Sequence, residues 1–221
     1  MNYKLAAFDF DGTLADSFSW FLSVMNDVAE RYGFRPIAEH EREELRGLEA
    51  RQIIEHLGMP LWKMPLIARY VRQRMARDIG QIGLFPGVAE LLRQLAESGV
   101  VVAVVTSNSG ENVRRVLGPE TAALIRHYGC GTSLFGKRAR LRQALRRSGV
   151  SPGEAIYIGD EIRDLHAARA AGMAFGGVSW GYTRAVSLLA HAPEAFFAEV
   201  DEIAPAILRH QRFASGGLIF R

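Results

Sequence analysis

Acidic and hydroxyl side chains recur in this chain where apolar runs stop. Asp9 and Asp11 close the run that starts at Leu5. Thr106, Ser107 and Asn108 follow Val100 to Val105, and Asp160, Glu161 and Asp164 follow Ala155 to Ile158. Asp9 and Asp11 are two apart, so in a regular strand they leave the same face. Asp160 and Asp164 are one helical turn apart if a helix begins at Asp160. Clustered carboxylates repel and raise one another's pKa unless a cation compensates. A hard cation with oxygen ligands, Mg2+ above all, does so with few carboxylates and several waters. Phosphate oxygens can then complete its shell. Taken singly, each group has an ordinary explanation: Asp before Gly turns the chain, Thr-Ser-Asn suits a helix N-cap, and Asp160 could cap a helix. Their repetition at three strand ends is what points to a site, because open parallel sheets bind ligands beyond the carboxyl ends of their strands.

The elements that must hold these residues are visible in the apolar pattern. Leu5 to Phe10, Val100 to Val105, Ala155 to Ile158 and Met173 to Val178 read as strands, the second as one buried on both faces. Val88, Leu91, Leu92 and Leu95 make a helix face before Gly99, and helices are expected over Asn112 to Leu117 and Leu165 to Ala171. Alternating strands and helices indicate a doubly wound, Rossmann-like α/β core built on a parallel sheet. Between Asp16 and Leu84 the pattern holds only helix and loop. Phe18, Phe21, Leu22, Met25, Val28, Ala29 and Tyr32 repeat at three and four before Gly33, and further helical patterns span Leu48 to Leu57 and Ile67 to Ile79. The expected organisation is a catalytic core of residues 1–15 and 85–221 with an all-helical cap, residues 16–84, inserted after the first strand.

Composition bounds the rest. The 221 residues are 48% apolar and 23% charged, an ordinary globular balance that excludes a largely disordered chain. No apolar run approaches a membrane span, and Asp9 falls where a secretory signal would still be apolar. Cys130 is the only cysteine, so no intrachain disulfide forms. A cytoplasmic protein is expected, with no membrane or nucleic-acid partner. The net charge is only +3, and the basic stretch Lys137 to Arg147 carries an apolar stripe of Leu141, Ala144 and Leu145. Its arginines read as the solvated face of a helix rather than a nucleic-acid contact. The six histidines show no metal spacing, Cys130 between glycines reads as packed rather than reactive, and Phe18, Trp20 and Phe21 read as cap core.

Asp9-Phe10-Asp11-Gly12-Thr13-Leu14-Ala15-Asp16-Ser17 resembles the first motif of the haloacid dehalogenase-like superfamily in its phosphatase form. Val102 to Thr106 is similar to the second motif and Gly159-Asp160-Glu161-Ile162-Arg163-Asp164 to the fourth. Lys137 falls where the third motif places its lysine, although Arg138 follows it where many relatives have proline. The ordered set runs from residue 5 to about residue 178, and the helical insert resembles the cap of the phosphoglycolate phosphatase-like branch.

The resemblance implies a Mg2+-dependent phosphatase for a small phosphate monoester, such as phosphoglycolate or a sugar phosphate, working through an aspartyl-phosphate. It makes Asp9 the nucleophile and Asp11 the acid and base. It places Mg2+ on a carboxylate oxygen of Asp9, the main-chain carbonyl of Asp11, and Asp160. Thr106 would donate to a phosphoryl oxygen, with main-chain amides near Ser107 and Asn108 assisting, and Lys137 would neutralise Asp9 and the phosphoryl group. Asp164 would orient Lys137 or metal-bound water, and Glu161 would add an outer oxygen. Asp11 argues against dehalogenase and phosphonate hydrolase chemistry. A phosphomutase, or a catalytically silent binding protein on the same fold, remains open. The expected partner is a small phosphorylated metabolite, and the expected state a monomer or weak dimer. In the cap, Arg46 and Arg51 are candidates to meet a substrate carboxylate or second phosphate, against the plainer reading of solvated surface.

Overall fold

Parity along the first strand sets out the whole core. In β1 (Leu5–Phe8), Ala6 and Phe8 face one layer, while Leu5 and Ala7 face the other. The same split runs through β4 (Val101–Val105) and β6 (Ala155–Gly159), whose central residues are buried on both faces. We describe residues 3–133 and 136–208 of a computed structural model; the Ser215-Gly216-Gly217 tail lies outside them. All six strands of the main sheet are parallel, in the order β5 (His127–Gly129), β4, β1, β6, β7 (Ala174–Val178) and β8 (Ala195–Phe197). One face is covered by α5 (Val88–Glu97), α6 (Gly110–Ala123) and α10 (Ile203–Leu208), the other by α7 (Lys137–Ser148) and α8 (Ile162–Ala171). The connection α9 (Ala185–Leu189) joins β7 to β8. The core is a doubly wound α/β sheet. β1 lies between β4 and β6, so chain order reverses around it, and the crevice this opens lies over Asp9.

Between β2 (Ala15–Asp16) and β3 (Gly83–Leu84) the chain forms α1 (Phe18–Tyr32), α2 (Arg42–Leu45), α3 (Ala50–His56) and α4 (Met64–Arg77), with short 3-10 turns. α1 ends at Gly33, whose N–H donates to the Ala29 carbonyl. Met25, Val28, Ala29, Phe34, Leu45, Leu57 and Ile67 form a small core of this insert, while Trp20, Val24 and Met75 join the core beneath the sheet. The pattern of residues 16–84 gave only helix and loop, yet Ala15–Asp16 and Gly83–Leu84 pair as an antiparallel ribbon at the neck of the insert. Two residues per strand are too few to leave an alternation in the sequence. The helix expected over Asn112 to Leu117 is also longer. It starts at Gly110, breaks at Gly118 (φ 72°, ψ 164°) and resumes with Pro119, which has no N–H to offer the preceding turn.

A buried carboxylate ties the insert together. Glu41, 7% exposed, accepts from the Ala38 amide (2.9 Å) and from Arg35 Nη1 (2.9 Å), with His56 Nε2 at 3.6 Å. The Ala38 bond first, then Arg35, holds its pKa down at about 2. A depressed folded pKa contributes stability that is present above pH ~4.5 and lost as pH falls towards 2. Glu41→Gln should therefore lower the melting temperature at pH 7 by about 2–4 °C. It should also remove part of the acid-induced loss between pH 4.5 and 2. Thermal scans of both proteins at pH 7 and pH 3 check this, and a constant difference at the two values would refute it.

Candidate active site

Asp9 follows Phe8 off the end of β1, and its parity turns it towards the layer containing α7 and α8. There its Oδ2 meets Lys137 Nζ at 2.5 Å, while its Oδ1 accepts from the Phe10 amide at 2.7 Å. Lys137 opens α7 and is 2% exposed. Its Nζ reaches Asp164 Oδ1 at 2.5 Å as well, so one ammonium bridges two carboxylates. Burial alone would push the Lys137 pKa down, but Asp164 and Asp9 outweigh it and keep the ammonium charged well beyond neutral pH. On the far side of Lys137, Tyr157 donates to the Val105 carbonyl at 2.9 Å, with Asp164 Oδ1 at 3.4 Å, and packs beneath the ion pair.

Asp160 follows Gly159, the last residue of β6, and is fully buried. Thr13 Oγ1 donates to its Oδ1 and the Tyr182 amide to its Oδ2, each at 2.8 Å. Two neighbours must be glycine for this to fit. Gly12 has φ +75°, and a Cβ there would sit 2.5 Å from Asp160 Oδ2; a Cβ on Gly181 would collide with the Asp160 side chain. Burial, then the charges of Glu161, Asp9 and Asp164, drive the Asp160 pKa well up. Oxygens of Asp9, Asp160 and Asp164 lie within 4.8 Å of one another. Three buried carboxylates against one lysine leave excess negative charge on hard oxygen donors, which fits a small divalent cation such as Mg2+.

Asp11 is partly buried beside this group. Asn108 Nδ2 donates to both its oxygens, at 3.2 and 3.0 Å. Burial, then the Asp9 charge, raises its pKa to about 6, with Asn108 pulling the other way. Thr106, buried at the end of β4, accepts the Asn108 amide on its Oγ1 at 3.1 Å. The Asn108 main-chain N–H is thus used inside the loop rather than offered outward, and the residue acts here through its side chain. Ser107 receives Arg72 Nη1 on its carbonyl. Glu161 is held by Arg163 Nε at 2.7 Å, and Asp164 Oδ2 accepts the Glu161 amide, closing the first turn of α8. Cys130 is packed, and burial raises its thiol pKa to about 11.

The haloacid dehalogenase-like hydrolase family matches residues 6–178, the span from β1 to β7. The chain belongs to this family. A phosphoglycolate phosphatase of Synechococcus elongatus is 32% identical, over 93% of this chain and 97% of that protein. A phosphoglycolate phosphatase of Agrobacterium fabrum is 28% identical, over 92% of this chain and 91% of that protein. The crystal structure of a candidate phosphoglycolate phosphatase from Lactobacillus plantarum superposes with a TM-score of 0.78 at 25% identity, covering 92% of this chain and 98% of that one. This member of the family is a phosphatase. No helix among the described residues is long and apolar enough to cross a membrane.

The structure brings Asp9, Asp11, Thr106, Asn108, Lys137, Asp160, Glu161 and Asp164 to one end of the sheet. Three contacts there escape a reading of the sequence. Asn108 holds Asp11 by its amide, Thr13 holds Asp160, and the loop carrying Gly181 and Tyr182 comes over Asp160 from the end of β7. That loop also corrects the expectation for Arg46, which is neither solvated surface nor free to meet a substrate. Its Nε and Nη2 donate to the carbonyls of Tyr182 and Gly181, at 3.0 and 2.9 Å. Phe18 and Phe21 pack around the Tyr182 ring, centroids 5.0 and 5.4 Å away, at the face between insert and core. In α7 the arginines 138, 140, 142, 146 and 147 are exposed, and Leu141, Ala144 and Leu145 are buried against the sheet.

Proposed function

We propose that this phosphatase hydrolyses a small phosphate monoester bearing a second anionic group, of the phosphoglycolate kind, through a phosphorylated Asp9. The observation that carries the reading is the Lys137 ammonium shared between Asp9 and Asp164, with Asp160 beside them and Asp11 held by the Asn108 amide. Asp9, the Asp11 carbonyl and Asp160 would hold Mg2+, which supplies charge neutralisation for the transferring phosphoryl group.

The chain's own residues do the rest. An Asp9 carboxylate oxygen attacks phosphorus as the phosphorus–oxygen bond to the leaving alkoxide breaks, and Asp11 gives that alkoxide its proton. Asp11, now a carboxylate, takes a proton from the water that attacks the same phosphorus. The bond to Asp9 breaks, and inorganic phosphate leaves. Burial and the Asp9 charge raise the Asp11 carboxyl above the ordinary aspartate range, which favours its serving as acid as well as base. Asn108 pulls it back. Lys137 stabilises the charge on the phosphoryl oxygens and on Asp9 at the moment of transfer, and Thr106 donates its hydroxyl proton to one of those oxygens.

A space beside Lys137 supports a small, anionic substrate. A cleft of about 240 Å³ opens between the start of α3 and the helices α7 and α8. Arg51, Lys137, Arg138, Arg163, His166 and Glu49 line it, Arg51 also pairing with Glu55 and Arg163 with Glu161. This volume suits a compact organic phosphate, and the basic lining suits a carboxylate or second phosphate. A panel of phosphoglycolate, sugar phosphates, nucleotides, pyrophosphate and a phosphopeptide, assayed with Mg2+ and with EDTA, tests the proposal. Turnover of a small dianionic ester is expected to fall at least about 100-fold in EDTA and return with Mg2+. Undiminished activity in EDTA, or preference for the phosphopeptide, would overturn it.

A further inference from the structure

The contacts of Tyr182 link two parts of the molecule that its place in the sequence does not suggest. Its amide donates to Asp160 Oδ2 at 2.8 Å. Its carbonyl, and that of Gly181, accept the two arms of Arg46 from the insert. Its ring packs with Phe18 and Phe21 of α1, and its hydroxyl lies 3.0 Å from Ser17 Oγ at the neck of the insert. Two residues on, the Arg184 amide donates to the Arg46 carbonyl at 2.9 Å, so the strand of contacts is anchored from both sides. The Arg46 guanidinium also lies 4.9 Å from the centre of the Phe18 ring, and its third nitrogen pairs with Glu43. Beyond the turn into α9, these contacts on the outer side of the 181–184 loop come from the insert or its neck. What the loop fixes on its inner side is the carboxylate of Asp160.

We propose that Arg46 and the Gly181–Tyr182 loop form a latch through which the docked insert sets the orientation of Asp160, so that insert docking and divalent-cation binding favour each other. Arg46 is a positioning residue here. It acts through the Gly181 and Tyr182 carbonyls and the Tyr182 amide, which shares one planar peptide group with the Gly181 carbonyl. The physical reason is geometric. Asp160 has no space to choose a second rotamer while Gly12 and Gly181 press on it and Thr13 and Tyr182 each hold one oxygen. When the insert lifts, Arg46 and the two phenylalanines leave the loop together, and the Tyr182 amide loses the scaffold that aims it. Linkage makes the effect reciprocal: a cation that needs Asp160 in place favours the docked insert by the same factor.

The proposal rests on Asp160 being a metal ligand, and the test separates the two claims. Mn2+ binding to the full chain is measured by titration calorimetry for wild type, Arg46→Ala, Arg46→Lys and Asp160→Asn. Hydrogen exchange at the Tyr182 and Arg184 amides is followed in the same samples. Arg46→Ala is expected to weaken Mn2+ about 10-fold and to speed exchange at Tyr182 by a similar factor, the size of coupling common between linked sites. Arg46→Lys keeps the charge and the stem against Phe18 but cannot span two carbonyls, so a loss of about 3-fold is expected. It also serves if the alanine variant folds poorly. Mn2+ added to wild type should slow exchange at the Arg184 amide, where insert and core meet. Wild-type Mn2+ affinity in both Arg46 variants, with Asp160→Asn clearly weakened, would overturn the latch and leave the metal assignment standing. Unchanged affinity in Asp160→Asn would overturn both.

Discussion

Asp9→Asn should abolish turnover, lowering kcat by at least about 10⁴-fold, the scale seen when a nucleophile is removed from a working constellation. The folded protein should survive nearly unchanged. An amide is close in shape to a carboxylate, and Lys137 loses only one of its two partners because Asp164 stays at 2.5 Å. Against that loss stands a gain. Asp11, Asp160 and Asp164 each feel the Asp9 charge as a force against their own ionisation, and the substitution relieves all three. The two effects oppose each other, so the melting temperature should move by no more than about 3 °C. Chromatographically clean Asp9→Asn protein, assayed on nitrophenyl phosphate, checks the first point, and a thermal scan at pH 7 checks the second. A wild-type rate would remove the nucleophile from the mechanism, whereas a collapsed fold would make Asp9 a structural residue first.

The parts of this molecule that could be read from its sequence share one property: their signal is local and repeated. Val101–Val105 and Ala155–Gly159 are central strands, buried on both faces, so each is a continuous apolar run that stops at a polar residue. α1 is amphipathic over four turns and ends at a glycine. The edge strands β5 and β8 left no such trace. Each has three residues, covers the core on a short stretch, and includes side chains such as His127 and Tyr128 that suit many settings. The ribbon at the neck of the insert exists only because Ala15 meets Leu84, a pairing across the whole insert that neither dipeptide announces.

The same distinction divides the candidate site. Acids at strand ends are visible because the strand before them is visible. The groups that tune those acids arrive from elsewhere: Asn108 to Asp11 across 97 positions, Tyr182 to Asp160 across 22, Arg46 to Tyr182 across 136. No local pattern encodes a hydrogen bond between two loops. One signal was nonetheless present. Trp180-Gly181-Tyr182 follows the run that ends at Val178, so it stands at the carboxyl end of a fourth strand of the same sheet. By the reasoning that singled out the other three strand ends, this one also borders the crevice.

Lys137→Met tests the opposite balance from Asp9→Asn, and the two should differ sharply. The lysine is buried and carries the only ammonium facing Asp9 and Asp164 among the described residues. Removing it leaves two buried carboxylates beside Asp160 with only the Arg163 guanidinium, itself paired with Glu161, near them. Losing one partner of a buried ion pair costs about 3–5 kcal/mol. The melting temperature should therefore fall by about 10 °C, several times the shift expected for Asp9→Asn. The pH dependence fixes the sign. Asp164 is already raised to about 7 by burial, with Lys137 pulling it down, so without the lysine it rises further. A carboxyl whose folded pKa lies above its unfolded value binds protons preferentially in the folded state. The variant should accordingly recover stability as pH drops from 8 to 5.5, narrowing its gap from wild type. Catalysis should not recover with it, because phosphoryl transfer loses its fixed positive charge, worth about 10³-fold in kcat. The double variant Lys137→Met, Asp164→Leu separates the two roles. Replacing Lys137 and one of its two carboxylates should restore part of the lost stability, Asp9 still lacking its ammonium, while activity stays low. Restored activity in the double variant would mean that Lys137 serves only to satisfy Asp164, and a Lys137→Met protein as stable as wild type at pH 8 would mean that the three carboxylates are not ionised together.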